Sequence, residues 1–206
     1  MDSPDVAGTT ARSLLAVTPP EWARRQLDAA ADLLVDQAHL EKKAAAAAVN
    51  FLFRVPLEPR WQRGLSALAR EELVHFERTL RLLAARGLPF ANQPATDYAA
   101  RLKRGAASVM PERLVDELLV AAIIEARSCE RMGLLATAFA ERDPELAGFY
   151  GELVEAEARH EVLYFDLACA IMTVAEVEAR WRTMVAHEAE VLRGLPFARR
   201  LHGGLG

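Results

Sequence analysis

Apolar residues recur at intervals of three and four along most of the chain, which is the spacing of one face of an α-helix. Short clusters of proline and glycine interrupt this pattern, and β-branched residues are sparse. The sequence therefore predicts an all-α fold whose helices are separated by turns.

Turn and capping residues mark the ends of the predicted helices. The first helical pattern runs from Trp22 to Phe53. Gly87 ends the second helix, and Asp143 followed by Pro144 begins the fourth. The later helices are expected at about 60–86, 111–141, 144–171 and 174–192, with a short connecting helix near 98–107. Four long helices of about 25 to 30 residues predict an antiparallel four-helix bundle with additional short helices.

Length and composition suit a single folded domain. The chain has 206 residues, of which 52% are hydrophobic and 26% charged, a balance that excludes intrinsic disorder. We expect one domain over residues 1–206, with a core bundle over about 20–172 and an extra helix and tail over 173–206. The glycines and proline of the tail predict that it is loosely held.

Charge and hydropathy narrow the expected location and partners. No stretch approaches the roughly 18 uninterrupted apolar residues of a membrane span, and residues 1–10 lack the pattern of a secretory signal. We therefore expect a soluble, cytoplasmic protein with no membrane partner. The net charge of -4 requires that any nucleic-acid partner bind a local basic patch. Cys129 and Cys169 lie in apolar helical patterns and are expected to be core residues.

Two Glu-x-x-His motifs, Glu72 to His75 and Glu157 to His160, carry the candidate chemistry. Positions three apart share a helical face, so each motif presents a carboxylate and an imidazole side by side. One such motif is a weak signal in a glutamate-rich helical chain, but a repeated one is stronger.

Each motif is preceded, one helix earlier, by a glutamate inside an apolar stripe. The interval from Glu41 to Glu72 nearly equals that from Glu125 to Glu157, so the chain resembles two copies of one unit. Unpaired buried carboxylates are costly, and a dinuclear metal centre removes that cost. One glutamate and one Glu-x-x-His from each helix pair form the ligand set of ferritin-like di-iron and di-manganese bundles, so the expected fold is a ferritin-like antiparallel four-helix bundle. The predicted metal ligands are Glu41, Glu72, His75, Glu125, Glu157 and His160.

A competing interpretation places these acids on the surface, in ion pairs with lysine and arginine. The repeated spacing and the apolar stripes favour the metal site. Other carboxylates compete for the ligand positions, namely Glu71, Glu77, Glu130, Glu155 and Glu161. Glu130 is the main rival of Glu125, although the spacing before Glu157 favours Glu125. His39, His187 and His202 have no partner pattern that would make them ligands.

The same residues resemble the tRNA 2-methylthio-N6-isopentenyladenosine hydroxylases. The resemblance extends over about residues 30–170, and no distinctive match appears near either end of the chain. Its most specific part is the string Glu-Ala-Arg-Ser-Cys-Glu-Arg at 125–131. The stretches that carry it are 39–44, 69–77, 124–131 and 157–160, with further agreement at 111–116 and 149–150.

The resemblance implies a non-haem di-iron monooxygenase. Enzymes of that family hydroxylate the isopentenyl group of a modified adenosine beside the tRNA anticodon. They use two iron ions, O2 and two electrons from an external donor. The implied iron ligands are the same six residues. The implied partners are tRNA and an electron-transfer partner that the sequence does not identify.

Several basic residues are candidates for gripping the tRNA phosphates. The segment with Arg101, Lys103 and Arg104 is preferred because binding residues are common in connecting segments, and Lys42 and Lys43 form a second cluster. Arg113 and the pair Arg199–Arg200 are further candidates. Three further residues are candidates for hydrogen bonds to the metal-binding carboxylates without binding metal themselves, namely Arg127, Glu130 and Arg131.

Other functions fit the same ligand pattern. A ferritin-like iron oxidase or storage protein would use the centre without an organic substrate, and a manganese catalase-type or rubrerythrin-type enzyme would bind peroxide there. A helical interaction module would need no metal at all.

Overall fold

A computed structural model describes residues 12–205, in which all regular structure is helical. Residues 1–10, for which the sequence predicts no secretory signal, lie outside this range. The helices are α1 (Pro20–Arg24), α2 (Ala30–Leu52), α3 (Pro59–Ala85), α4 (Tyr98–Lys103), α5 (Glu112–Phe139), α6 (Pro144–Cys169) and α7 (Val174–Arg193). The predicted all-α class is therefore confirmed.

The four long helices α2, α3, α5 and α6 form the bundle. Helices α2 and α3 pack together as one antiparallel hairpin, α5 and α6 pack as a second, and α3 contacts α6 between the hairpins. The ends of the hairpins are well capped. Gly87 adopts a φ of 65° after α3, and Asp143 accepts a hydrogen bond of 3.0 Å from the N–H of Leu146 at the start of α6.

The first helical pattern is not continuous. The sequence predicts one helix from Trp22 to Phe53, whereas the chain leaves the helix between α1 and α2. At this break the buried Gln26 donates a hydrogen bond of 3.1 Å to the carbonyl of Ala198 in the C-terminal tail. Helical periodicity carries no information about such a distant partner, so the prediction was wrong here.

The C-terminal tail, residues 194–205, packs against the bundle. Leu201 to Gly204 are buried, so the prediction of a loosely held tail is wrong. A Cβ at Gly204 would lie 1.9 Å from the carbonyl oxygen of Leu195, and one at Gly203 would lie 2.7 Å from that of Ala198. These glycines therefore allow close backbone packing, rather than giving the tail freedom.

The core consists of two apolar clusters. One surrounds Leu118 and Leu167 between the bundle, α4 and α7, and the other surrounds Leu34, Leu135 and Leu153 near α1. The acidic residues predicted to bind metal lie along the helices between these clusters. Within residues 12–205, no helix has both the length and the apolar character required to cross a membrane.

Candidate metal centre

All six predicted ligands are buried in the middle of the bundle. Helix α2 carries Glu41, α3 carries Glu72 and His75, α5 carries Glu125, and α6 carries Glu157 and His160. The three-residue spacing within α3 and α6 places carboxylate and imidazole on the same inward face. The structure therefore brings together every residue of the predicted set.

The six side chains form two overlapping groups. In each group one potential ligand atom per residue lies within 4.8 Å of the others, and each group could hold a metal ion. The first consists of Glu41, Glu72, His75 and Glu157, and the second of Glu72, Glu125, Glu157 and His160. Glu72 and Glu157 belong to both groups, so they lie between the two potential metal positions.

Several potential ligand atoms have no hydrogen-bond partner. Both carboxylate oxygens of Glu72 and the Nδ1 atoms of His75 and His160 are buried without one among the described residues. Nδ1 of His160 lies 2.7 Å from Oε1 of Glu72, but the two groups are not aligned for a hydrogen bond. Buried polar atoms normally find partners, so their convergence on one point fits the donor set of a bound cation.

Electrostatics favour the same interpretation. Burial, together with the neighbouring Glu72, raises the pKa of Glu41, and burial together with Glu125 raises that of Glu157. Burial and Glu72 raise the pKa of Glu125 to about 7. These three carboxyl groups resist ionisation unless positive charge is added, whereas at Glu72 burial is outweighed by the neighbouring imidazoles of His160 and His75, which lower the pKa. Divalent cations supply that charge, so the residues fit a dinuclear metal site.

Two neighbours orient the candidate ligands. Nε2 of His160 lies 3.0 Å from Oε2 of Glu71, and the other carboxylate oxygen of Glu71, Oε1, accepts a hydrogen bond of 2.6 Å from Nη2 of Arg159. Gln37 donates a hydrogen bond of 2.7 Å to Oε1 of Glu41 from one turn earlier on α2. Glu71 was predicted only as a rival ligand. Gln37 was missed, although its position four residues before Glu41 places the two side chains on the same helical face.

The rival carboxylate Glu130 lies away from the two groups. It accepts hydrogen bonds from the backbone N–H and the hydroxyl of Thr18, at 2.9 and 2.6 Å, and pairs with Arg127. Of the other rivals, Glu161 pairs with Arg12, and Glu77 and Glu155 are exposed. The spacing argument therefore selected the glutamate that joins the cluster.

Arg127 and Arg131 bind the outer parts of the fold. Arg127 forms a buried ion pair with Glu188 of α7, at 3.0 Å, and Arg131 donates to two carbonyl oxygens of the tail. Within residues 12–205, these arginines donate hydrogen bonds to acceptors that are not among the six predicted ligands. The two cysteines, predicted as core residues, are only partly buried, and both are free thiols.

A cavity of about 860 Å³ lies between α2 and α5 and reaches the cluster. Four of the six candidate ligands line it, namely Glu41, Glu72, Glu125 and Glu157. Its walls include small residues such as Ala44 and Ala121, and the aromatic rings of Phe51 and Tyr164. The hydroxyl of Tyr164 is buried without a partner in the described part of the chain. An apolar group can therefore approach the cluster.

Exposed cations surround the outer part of this cavity. We call Lys43, Arg54, Lys103 and Arg113 the rim. Arg54 and Arg113 share the carboxylate of Glu117, which leaves the rim with excess positive charge.

Among the predicted tRNA contacts, Lys43, Lys103 and Arg113 belong to the rim, and Arg54 was missed. Arg101 is half-buried and donates to the carbonyl of Gly194 at 3.0 Å. Arg104 is exposed, and Lys42 lies over the ring of Phe90. Lys43, Lys103 and Arg113 are thus the predicted contacts that lie at the cavity.

Fold and site together define a ferritin-like helical protein with a carboxylate–histidine cluster compatible with a di-iron centre. Comparison with protein families identifies the chain more closely. The family model described as tRNA-(MS[2]IO[6]A)-hydroxylase (MiaE) matches residues 7–203. The chain therefore belongs to the MiaE family, a family of tRNA hydroxylases, and the resemblance seen in its sequence is confirmed.

Two curated relatives carry the same name. The tRNA 2-(methylsulfanyl)-N(6)-isopentenyladenosine(37) hydroxylase of Pseudomonas putida is 37% identical over 91% of this chain and 90% of its own length. The enzyme of that name from Salmonella typhimurium is 35% identical over 67% of this chain, which spans 50% of that relative.

A solved structure is similar over nearly the whole chain. It is a protein with aldehyde deformylating oxygenase activity from Synechococcus, with a TM-score of 0.86 and 39% identity. The match covers 94% of this chain and 96% of that one. The ferritin-like fold class is therefore confirmed.

Proposed function

We propose that this protein is an O2-dependent di-iron monooxygenase that hydroxylates the isopentenyl group of 2-methylthio-N6-isopentenyladenosine beside the anticodon of tRNA. The observation that carries the proposal is the position of the cluster. In a chain of the MiaE family, four carboxylates line the inner part of a cavity whose rim is cationic. This combination suits an anionic polymer bearing one apolar group that must reach a metal centre.

The two overlapping groups support an assignment of ligands. Glu41 and His75 would serve one iron ion, and Glu125 and His160 the other. Glu72 and Glu157 belong to both groups and would be available to either ion. Glu71 and Gln37 would hold His160 and Glu41 in the required orientation.

Bound iron supplies the oxidising power toward an unactivated C–H bond that amino-acid side chains lack. The overall reaction is balanced by O2, two electrons and two protons, since one oxygen atom enters the alcohol and the other leaves as water. An external reductant must supply the electrons. The protein's own residues bind the substrate, orient the methyl group and exclude bulk water.

The cavity walls are suited to that task. Phe51, Val120 and Ile124 offer apolar contacts to an isopentenyl group, and burying such a group removes its surface from water. The base must leave the anticodon stack to enter the cavity. Lys43 and Lys103 at the rim would then contact the flanking phosphates.

The decisive test is mass spectrometry of nucleosides from tRNA bearing 2-methylthio-N6-isopentenyladenosine. The tRNA is incubated with iron-loaded protein, O2 and a chemical reductant. We expect the modified nucleoside to gain one oxygen atom, and Glu72→Gln to abolish that gain because it removes a shared carboxylate.

Parallel reactions separate the alternative functions. Product from an aldehyde, without a gain on tRNA, would support the deformylating activity named for the similar structure. Oxidation of Fe(II) by a multi-subunit shell would support iron storage, and peroxide disproportionation by a manganese-loaded protein would support a catalase. Any of these results without tRNA hydroxylation would overturn the proposal.

A further inference from the structure

The C-terminal tail contributes a polar residue to the wall of the cavity. Leu201 and His202 line it beside Ser128, which lies on α5 three residues after Glu125. His202 is only 5% exposed, although it is close to the end of the chain. It belongs to neither group of potential metal ligands in the described structure.

The backbone on both sides of His202 is fixed. Nη1 of the buried Arg131 donates to the carbonyl oxygens of Leu201 and Gly203, at 2.6 and 2.7 Å. The N–H of Leu201 donates to Asp36 at 2.9 Å. One guanidinium thus holds the residues before and after His202, so the imidazole has a defined position.

The imidazole has unused hydrogen-bonding capacity. Its ring stacks on Tyr98, with centroids 4.9 Å apart, and Nε2 lies 3.3 Å from the hydroxyl oxygen of Ser128. Within residues 12–205, no hydrogen bond is recorded for Nδ1. Burial, together with Arg131 and Arg127, lowers the pKa of His202 to about 3. A neutral imidazole offers one donor and one acceptor, which suits the edge of a base better than a phosphate.

We propose that His202, supported by Ser128, binds the modified adenine inside the cavity through a hydrogen bond to the base. This inference rests on the proposed function and deepens it. The rim cations would bind the tRNA phosphates, and the apolar walls would contact the isopentenyl group. The tail would bind the base, which lies between the phosphates and the isopentenyl group. The tail thereby becomes part of the substrate site.

Equilibrium binding provides a test that does not depend on turnover. The probe is a synthetic anticodon stem-loop carrying 2-methylthio-N6-isopentenyladenosine, and the reference is the same stem-loop with unmodified adenosine. Fluorescence anisotropy measures Kd for metal-loaded protein without reductant. His202→Phe keeps a planar ring on Tyr98 but removes both nitrogens. We expect it to weaken binding of the modified probe about 3- to 10-fold, as for the loss of one hydrogen bond.

Further variants distinguish recognition from packing. His202→Asn restores a side chain that can donate and accept, so it should recover part of the affinity. His39→Phe is the matched control, because His39 is buried to 7% exposure and bonds to the carbonyl of Ala91 outside the cavity lining. Metal content should stay unchanged in all three. Ser128→Ala should weaken binding of the modified probe, but less than His202→Phe does. It replaces His202→Phe in the test if that variant does not fold.

The outcomes for the two proposals are separable. Wild-type protein that does not distinguish the modified stem-loop from the unmodified one contradicts the proposed function. If the wild type prefers the modified stem-loop but His202→Phe binds that stem-loop as tightly as the wild type does, only the assignment of His202 is overturned. Ser128→Ala is judged in the same way where His202→Phe does not fold.

Discussion

The arrangement around His160 shows how single residues set up the candidate metal centre. Glu71 occupies the Nε2 side of the ring, which leaves Nδ1 directed at Glu72 in the cluster. Burial alone lowers the pKa of His160, but Glu71 and Glu72 raise it to about 9. A cation at the cluster must therefore displace a proton from this imidazole, as is general for histidine ligands.

Replacing one imidazole should remove metal without unfolding the bundle. We expect His160→Ala to bind at least one metal ion fewer per chain than the wild type, because one group of candidate ligands loses its only histidine. Elemental analysis after iron loading measures the stoichiometry, and far-UV circular dichroism confirms the helices. His39→Ala is the control, since His39 lies outside both groups. Equal iron content in the two variants would contradict the ligand assignment.

The six clustered residues could be predicted because they repeat at helical spacing. Their partners could not be predicted in the same way. Glu71 and Glu77 are both glutamates on α3, but only Glu71 meets His160, and that contact depends on how α3 is rotated against α6. Sequence spacing within one helix contains no information about that rotation.

At the scale of helices and loops, local signals predicted most boundaries. Gly87 and Asp143 act at helix ends as their residue types suggest. The tail was misjudged because glycine has two uses. At Gly203 and Gly204 the absence of a side chain permits close packing, and the stabilising contacts come from distant residues such as Arg131 and Asp36.

The buried tail should make the protein sensitive to acid. Burial lowers the pKa of His202 from an ordinary value of 6.5 to about 3 in the folded protein. Between these two pH values the imidazole is protonated in the unfolded chain and neutral in the folded chain. Stability from this group is present above pH 6.5 and is lost as pH falls toward 3. Between pH 7 and pH 5 the loss amounts to about 2 kcal/mol.

Urea unfolding of the metal-free protein at these two pH values measures this loss. His202→Phe should lose about 2 kcal/mol less than the wild type over the same interval, because it lacks the titrating group. The control His39→Phe removes a histidine that lies outside the tail. The same pH dependence in wild type and His202→Phe would show that the imidazole does not remain neutral in the folded tail.

At the scale of the whole molecule, the positive and negative side chains that line the cavity lie at different depths. The chain has a net charge of -4, yet the rim of the cavity is cationic and the carboxylates lie at its inner end. Composition predicted only that a nucleic-acid partner would need a local patch. Locating that patch required the tertiary structure, because Lys43 on α2 and Lys103 on α4 line the same cavity although they are distant in sequence.

The rim leads to a prediction about tRNA binding. Lys103→Glu and Arg182→Glu change the net charge equally, but Lys103 belongs to the rim, whereas Arg182 is exposed on α7 away from the cavity lining. We expect Lys103→Glu to weaken binding of the modified tRNA and to lower the slope of log K against log salt by about 1, as for one lost phosphate contact. Arg182→Glu should leave that slope unchanged. If the two variants weaken binding alike, the tRNA senses only overall charge, and its phosphates do not contact the rim.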